Sequence, residues 1–249
     1  MNPARLGNAV KAVRAFTLVE LLVVLCVVAI LTTLSLSGVG KMRARAQQAH
    51  CANSLRQLGA ATGMYLAEND QRLFAYSQYV PEGRLWYFGL ETGGGGGEGA
   101  RRLDETQAPL YPYLKQTGGV EVCPSFPYEA ALWKPKFEKA SWGYGFNTSL
   151  SGVNVLTVER PQRILLFGDC AQVNSFQAPA SAKKPMIEEF YMIDPSSKTI
   201  HFRHGAAANI LFLDGHVEAM KMRPGTLDTR LKEANVGRIT PVGSTEYLR

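Results

Sequence analysis

An apolar run near the N-terminus constrains this chain more than any other feature of its sequence. Residues 16–36 contain one charged side chain, that of Glu20. A helix of that length is roughly 30 Å long, which matches the hydrocarbon core of a lipid bilayer. An unpaired carboxylate inside such a segment is energetically costly, so Glu20 is predicted to have a function.

The segment before the run, residues 1–15, carries three basic side chains and no acidic one. An ordinary secretory signal is cleaved after its apolar region. Here the small residue Ala15 precedes that region, so cleavage after it would remove only the leader. Phe16 would then carry a free amine about one helical turn from Glu20. The alternative is an uncleaved signal anchor, with Glu20 near the lipid headgroups.

Residues 16–22, Phe-Thr-Leu-Val-Glu-Leu-Leu, resemble the class III signal of type IV prepilins and type II secretion pseudopilins. The resemblance implies that a prepilin peptidase cleaves after Ala15, where the family more often has Gly, and methylates the amine of Phe16. It implies that Glu20 pairs with the N-terminal amine of a neighbouring subunit. It also implies a single pass through the bacterial inner membrane, with the C-terminal domain in the periplasm or in a cell-surface filament.

A second resemblance lies near the C-terminus, where His204 is followed by nine residues and then by Asp214 and Gly215. This spacing resembles the His-x9-Asp-Gly region of a large subgroup of pilin-like proteins. Shorter blocks resemble the same subgroup, at residues 51–59, 122–125, 141–147 and 164–169. We expect His204 to satisfy backbone groups near a turn or to bond Asp214.

Residues 37–70 are predicted to continue the membrane helix as an amphipathic half. Helix-forming residues are frequent from Lys41 to Glu68. Residues at helical spacing form one mainly apolar stripe, consisting of Cys51, Leu55, Leu58, Thr62 and Tyr65. The sequence therefore predicts one long helix, weakened or bent near Gly38 and Gly40.

Residues 71–249 are predicted to form an exported, β-rich domain. Strands are expected at residues 153–158, 164–167 and 189–193, and a hairpin is expected at residues 209–220. Asp214 and Gly215 would form its two-residue turn with positive φ. The expected fold class is α+β, pilin-like, with the long N-terminal helix packed on an antiparallel sheet.

Two other segments are expected to lack regular structure. The glycine-rich loop at residues 91–99 contains five consecutive glycines but is not followed by the Lys-Ser or Lys-Thr of a phosphate-binding loop. We interpret it as a mobile surface loop. The polar tail after Gly225 is predicted to be irregular.

The four cysteines differ in their expected roles. Cys26 lies in the apolar run and is expected to pack there. Three cysteines lie in the exported part, where disulfides are permitted, so one disulfide and one free thiol are the maximum. We favour a bond between Cys51 and Cys123 over either pairing with Cys170, although spacing does not decide among them.

Metal-capable side chains occur in the C-terminal half, at Asp169, His201, His204, Asp214 and His216. Histidines suit calcium poorly, and no Asp-rich loop is present. We therefore expect no cofactor, with a bound divalent metal as the less favoured alternative. No Gly-x-Ser-x-Gly or His-Glu-x-x-His motif occurs. A protein that is not an enzyme is expected.

The basic charge is a weak argument for nucleic-acid binding. The net charge of +6 falls to +3 when the basic residues of the leader are set aside. A cluster of Lys134, Lys136 and Lys139 with Trp133 and Phe137 fits either a basic–aromatic binding face or a solvated loop. No specific nucleic-acid partner is predicted.

Together these features predict a structural subunit that acts by assembly. The expected partners are a prepilin peptidase, other pilin-like subunits, an inner-membrane assembly platform and membrane lipid. The filament would be a type II secretion pseudopilus or a type IV pilus-like fibre. The alternatives are a membrane-tethered extracytoplasmic binding domain that does not polymerise and, less favoured, a metal-binding enzyme.

Overall fold

The computed structural model describes residues 17–92 and 98–248, with the backbone alone described at residues 34–38. The predicted leader, Phe16 and the five consecutive glycines lie outside the described residues. The chain divides into two compact units, with the boundary between Arg43 and Ala44.

Helix α1 (Leu18–Glu68) includes residues 18–36 of the N-terminal apolar run and residues 37–68 of the predicted amphipathic continuation. Its C-terminal end at Glu68 is the end that the sequence predicts. Among the fully described residues, no helix contains an apolar stretch of the length needed to cross a membrane. The predicted membrane segment, residues 16–36, includes Phe16 and the side chains of residues 34–36, which lie outside the description.

The second part of α1 forms one wall of the core of the unit Ala44–Arg249. Cys51, Leu55, Leu58 and Thr62 are buried, and Tyr65 is half-buried, so the predicted stripe is the face that packs inward. Gly59 lies on this helix against strand residue Leu211. A Cβ atom at position 59 would lie 3.2 Å from Cδ1 of Leu211, so glycine permits a close approach of helix and sheet.

The remaining regular elements are one short helix and a series of short strands. Helix α2 (Tyr111–Thr117) has a proline in its first turn and ends at Gly118, which has a left-handed backbone. The strands are β1 (Ser77–Val80), β2 (Gly83–Trp86), β3 (Gly89–Thr92), β4 (Arg102–Asp104), β5 (Tyr144–Asn147), β6 (Leu165–Asp169), β7 (Ala171–Asn174), β8 (Met186–Glu189), β9 (Met192–Ile193), β10 (Ile200–His201), β11 (Ala207–Phe212), β12 (Val217–Lys221) and β13 (Val236–Gly237).

The strands form a meander and a central five-stranded sheet, with two further pairs. Strands β1 to β4 are sequential and antiparallel. The central sheet has the order β12-β11-β6-β5-β9 and is antiparallel except between β5 and β9. Strand β7 pairs with β8, and β10 pairs with β13. The mixed α+β architecture with mainly antiparallel sheets agrees with the coarser part of the fold prediction.

The inner strands β6 and β11 of the central sheet are buried on both faces, which explains why they are almost continuously apolar. Phe167 and Leu211 belong to the cluster that includes the buried face of α1. Leu165, Ile210 and Phe212 point into a second cluster on the other face. Because side chains alternate along a strand, the β11 residues Ile210 and Phe212 point into the second cluster and Leu211 between them points into the first.

Two predicted strands are wrong in detail. Residues 153–158 form a 3-10 turn at Val155–Thr157, because the side chain of Asn154 accepts a hydrogen bond from the N–H of Leu156 at 2.9 Å. Residues 189–193 do not form one strand. The chain leaves β8 at Glu189 and joins a different sheet as β9, after Tyr191 has accepted a hydrogen bond from the N–H of Phe146.

The predicted hairpin forms, but its turn is longer than two residues. Leu211 pairs with Val217, and the N–H of Phe212 donates to the carbonyl of His216 at 2.9 Å. The loop therefore spans residues 213–215. Asp214 and Gly215 were both predicted to have positive φ, but only Gly215 does (+94°). A turn of three residues with glycine in the last place satisfies the same hairpin signal.

The C-terminal tail is not irregular throughout, contrary to the prediction. The tail contains strand β13, which pairs with β10, and its residues Leu231 and Val236 are buried. Leu248 packs in the second core beside Leu165. A few separated apolar residues anchor this segment, and their spacing has no helical or strand period that a sequence pattern would reveal.

We expect Gly59→Leu to destabilise the protein by about 1–3 kcal/mol, because a larger side chain would be forced against Leu211. Gly63→Leu on the same helix is the matched control, since a Cβ atom there has no neighbour within 4 Å. Chemical denaturation of both variants in the full chain gives the comparison. Equal stability of the two variants would contradict the close helix–sheet contact.

A buried cysteine, histidine and carboxylate cluster as the candidate functional site

At the N-terminus, Glu20 closes the first turn of α1. The backbone N–H and the hydroxyl of Thr17 donate to Oε2 of Glu20 at 2.9 Å and 2.8 Å, and the N–H of Glu20 donates back to the Thr17 hydroxyl at 3.2 Å. This reciprocal arrangement is a capping box, whose Thr-x-x-Glu signature is present in the sequence. The predicted processing residues Ala15 and Phe16 lie outside the described residues.

Large apolar side chains cover the helix beyond this cap, and we call them the N-terminal apolar surface. Their exposed fractions range from 50% at Val24 to 79% at Leu18. The surface consists of Leu18, Val19, Leu21, Leu22, Val23, Val24, Leu25, Val27, Val28, Ile30 and Leu31. Contiguous apolar exposure on this scale is typical of a surface that contacts lipid or another protein.

Cys51 and Cys123, the pair that the sequence favours, are joined by a disulfide bond. Their Cα atoms are 5.5 Å apart, and both residues are fully buried. The bond ties α1 to the irregular segment between α2 and β5. With a sequence separation of 72 residues, it stabilises the fold by about 4 kcal/mol in the chain-entropy model.

A tight turn brings His204 to this disulfide. His204 and Ala207 exchange two backbone hydrogen bonds of 3.0 Å, and the intervening Gly205 and Ala206 both have positive φ. The turn leads directly into β11 and directs the imidazole inward, where its Nε2 lies 3.6 Å from Sγ of Cys123. Nδ1 of His204 is buried and has no hydrogen-bond partner among the described residues.

Asp169, at the end of β6, approaches the same imidazole nitrogen as Cys123. Its Oδ2 is 3.3 Å from Nε2 of His204 and accepts the N–H of Asn209 at 2.7 Å, while its Oδ1 accepts from Arg203 at 2.7 Å. Burial alone would raise the pKa of this carboxyl group. Arg203, His204 and the N–H of Asn209 outweigh that effect and hold the pKa below its usual value.

The five metal-capable residues that the sequence singles out do not meet at one point. His204 and Asp169 are neighbours, but Asp214 lies at the far end of β11 and bonds His216 at 2.6 Å instead. The proposed bond between His204 and Asp214 is therefore wrong. His201 is buried beside Arg203, and its pKa lies well below the usual value because of burial and then the nearby guanidinium.

The predicted basic–aromatic cluster is neither a binding face nor a solvated loop. Lys134 is fully buried, and its Nζ lies 2.5 Å from carboxylate oxygens of Glu98 and Glu188. Lys136 approaches Glu188 at 3.6 Å, and the aromatic ring of Phe137 is in the core. Burial would raise the pKa of Glu188, but Lys136 and Lys134 lower it overall.

The same ionic network holds both ends of the glycine run. Arg101 contacts the carboxylates of Glu91 and Glu98, and Glu91 also accepts from the indole of Trp86 at 2.7 Å. The flanks of the predicted mobile loop are thus anchored in the fold. The prediction of mobility itself concerns residues 93–97, which lie outside the described residues.

Sequence reasoning missed that Cys51, Cys123 and His204 meet. Their ligand-type atoms all lie within 4.8 Å of one another. The residues come from a helix, an irregular segment and a turn that are far apart in the chain, so spacing gives no signal. The positive φ of Ala206 was also unforeseen, since alanine rarely adopts a left-handed conformation.

Known proteins give no independent guide to the chemistry of this cluster. No protein-family model matches the chain, and no curated protein or solved structure matches it either. The cluster itself contains one disulfide that can accept two electrons, one imidazole and one adjacent carboxylate.

Replacing Lys134 should test the ionic network. Lys134→Met leaves the carboxylates of Glu98 and Glu188 without their shared cation, and the protein should lose about 3–5 kcal/mol of stability. Lys139→Met, at an exposed lysine of the same segment, should change stability by less than about 0.5 kcal/mol. Urea denaturation measures both, and a similar effect of the two variants would argue against a structural role for the network.

Proposed function

We propose that this chain is a pilin-like structural subunit of a type II secretion pseudopilus or a type IV pilus-like filament. A prepilin peptidase would cleave it after Ala15, and it would then assemble through the helix that begins at Phe16. The N-terminal apolar surface is the observation that carries this proposal. Its side chains are half or more exposed, although water is a poor solvent for them.

Covering this surface requires an apolar environment from outside the chain. Lipid tails supply it before assembly, and the equivalent helices of other copies supply it within a filament. The described part of the surface from Leu18 to Leu31 contains Glu20 as its only charge. A helix with apolar residues on every side suits both environments.

Glu20 gives this packing a preferred register. A cleaved neighbour carries a positive amine at Phe16, and in a helix-packed apolar core both charges are costly unless they pair. A carboxylate close to the start of α1 can reach such an amine. The capping box shows that Glu20 already accepts N–H and O–H donors at this end of the helix.

The unit Ala44–Arg249 suits an exported domain. Its buried Cys51–Cys123 disulfide is typical of an oxidising compartment. In this proposal the domain lies in the periplasm or on a cell-surface filament, and the inner-membrane assembly platform and other subunits are the partners.

One observation favours a second candidate, a membrane-tethered binding domain that does not polymerise. Thr17 satisfies Glu20 within a single chain, so the carboxylate has a role without a neighbouring subunit. In that case Glu20 stabilises only the start of α1, as the acidic partner of the capping box.

Mass spectrometry of the N-terminus, on protein from its native membrane, tests processing. We expect a mature chain that begins with N-methylated Phe16, because cleavage after Ala15 is the step that exposes the amine. Ala15→Leu is the control, since a large side chain should block cleavage and leave the leader attached. An intact Met1 terminus in the unaltered protein would contradict the filament proposal.

Two substitutions separate the charge of Glu20 from its capping role. Glu20→Gln retains a side chain that fits the third position of a capping box but loses the charge. Thr17→Val removes the hydroxyl and retains the charge. If assembly depends on the charge, Glu20→Gln abolishes filaments and Thr17→Val preserves them, with both variants inserted normally in the membrane. Normal filaments from Glu20→Gln would show that the pairing argument is wrong.

A further inference from the structure

We propose that Cys51, Cys123 and His204 form a zinc site that becomes available when the Cys51–Cys123 disulfide is reduced. Disulfide and metal are then alternative cross-links between the same segments. The site lies wholly within the unit Ala44–Arg249, so the inference does not depend on filament assembly.

The distance between Cys123 and His204 is that expected between two ligands of a tetrahedral zinc site. With usual Zn–S and Zn–N bond lengths, sulfur and nitrogen ligands lie about 3.5 Å apart. Sγ of Cys123 and Nε2 of His204 are 3.6 Å apart. Two sulfur ligands lie about 3.8 Å apart in such a site. After reduction, the two sulfurs need only separate to that distance while His204 stays in place.

Asp169 can supply the fourth ligand if its carboxylate moves toward the sulfurs, because the donor atoms that lie within 4.8 Å of one another are those of Cys51, Cys123 and His204 and do not include Asp169. Nitrogen and oxygen ligands of tetrahedral zinc lie about 3.3 Å apart. Oδ2 of Asp169 is 3.3 Å from Nε2 of His204, and Arg203 and Asn209 hold the carboxylate there. Two thiolates and Asp169 carry three negative charges, which Zn²⁺ and Arg203 balance. Neutrality matters because these residues are buried.

The imidazole nitrogens of His204 have few close hydrogen-bond partners among the described residues. The separations of its Nε2 from Asp169 and from Cys123 are 3.3 Å and 3.6 Å, and Nδ1 has no hydrogen-bond partner among the described residues. Deeply buried polar groups are normally well paired. A metal bond at Nε2 therefore displaces only two long contacts.

The redox step balances with a dithiol as reductant. The dithiol transfers two electrons and two protons to the Cys51–Cys123 bond, which breaks to give two thiols, and the reductant becomes a disulfide. Zinc binding then displaces both protons and forms two Zn–S bonds. Because both cysteines are buried, exchange requires local opening of the irregular segment that carries Cys123.

The test uses the purified full chain in detergent, with and without prior reduction by a dithiol under nitrogen. ZnCl₂ is added after the reductant is removed, and native mass spectrometry counts bound metal. We expect one zinc ion per reduced chain and none per oxidised chain. Cys26 and Cys170 are free in both forms, so the oxidised chain controls for metal held by them.

His204→Gln should weaken zinc binding to the reduced chain by at least about tenfold, whereas His216→Gln at the exposed hairpin should leave it unchanged. Co²⁺ in place of zinc reports thiolate ligation through its sulfur-to-metal absorption. If the reduced chain unfolds, refolding by one equivalent of zinc supports the site. Absence of zinc binding, failure of zinc to restore the fold, or equal binding by His204→Gln would overturn the proposal.

Discussion

The packing of one face of α1 against the central sheet is the contact on which the globular unit depends. Gly59 lets the helix approach Leu211 of β11 so closely that a larger residue would collide with it. Leu55 and Leu58 then join Phe167 in one core. Since the opposite face of the same strands is filled by Ile210 and Phe212, the sheet is buried on both sides. Separation of the helix would expose the part of this face that lies around Leu211.

Because the sheet is buried on both sides, the carboxylate at the end of β6 is removed from water. Asp169 terminates a strand whose residues are all buried, and an isolated carboxylate there would be costly. The chain resolves the problem with Arg203 and the N–H of Asn209, which flank the turn before β11. His204 belongs to the same turn. The turn that carries His204 is thus held in place by the hydrogen bonds of Arg203 and Asn209 to the buried carboxylate of Asp169, and this places His204 beside the disulfide.

Residue patterns predicted much of this architecture, and they failed where distant segments meet. The helical stripe at Cys51, Leu55 and Leu58 predicted the buried face of α1, because one helix contains the complete pattern. The hairpin was predictable for the same local reason. The burial of Lys134 fits neither alternative for its cluster, a binding face or a solvated loop, and it was not predicted because its partners Glu98 and Glu188 lie far away in the sequence. The meeting of His204 with Cys123 was hidden in the same way.

The disulfide and the proposed zinc ion would each cross-link α1 to the irregular segment that carries Cys123. The segment that carries Cys123 has little regular structure, and its other tie to α1 includes a surface pair between His50 and Glu121. Such exposed pairs contribute little, so without a cross-link the connection between this segment and α1 depends mainly on apolar contacts. A zinc ion held by the same two sulfurs and His204 would restore the connection at the same point. Under this proposal, the three residues would keep the helix and this segment joined under both oxidising and reducing conditions, with the imidazole required only in the second case.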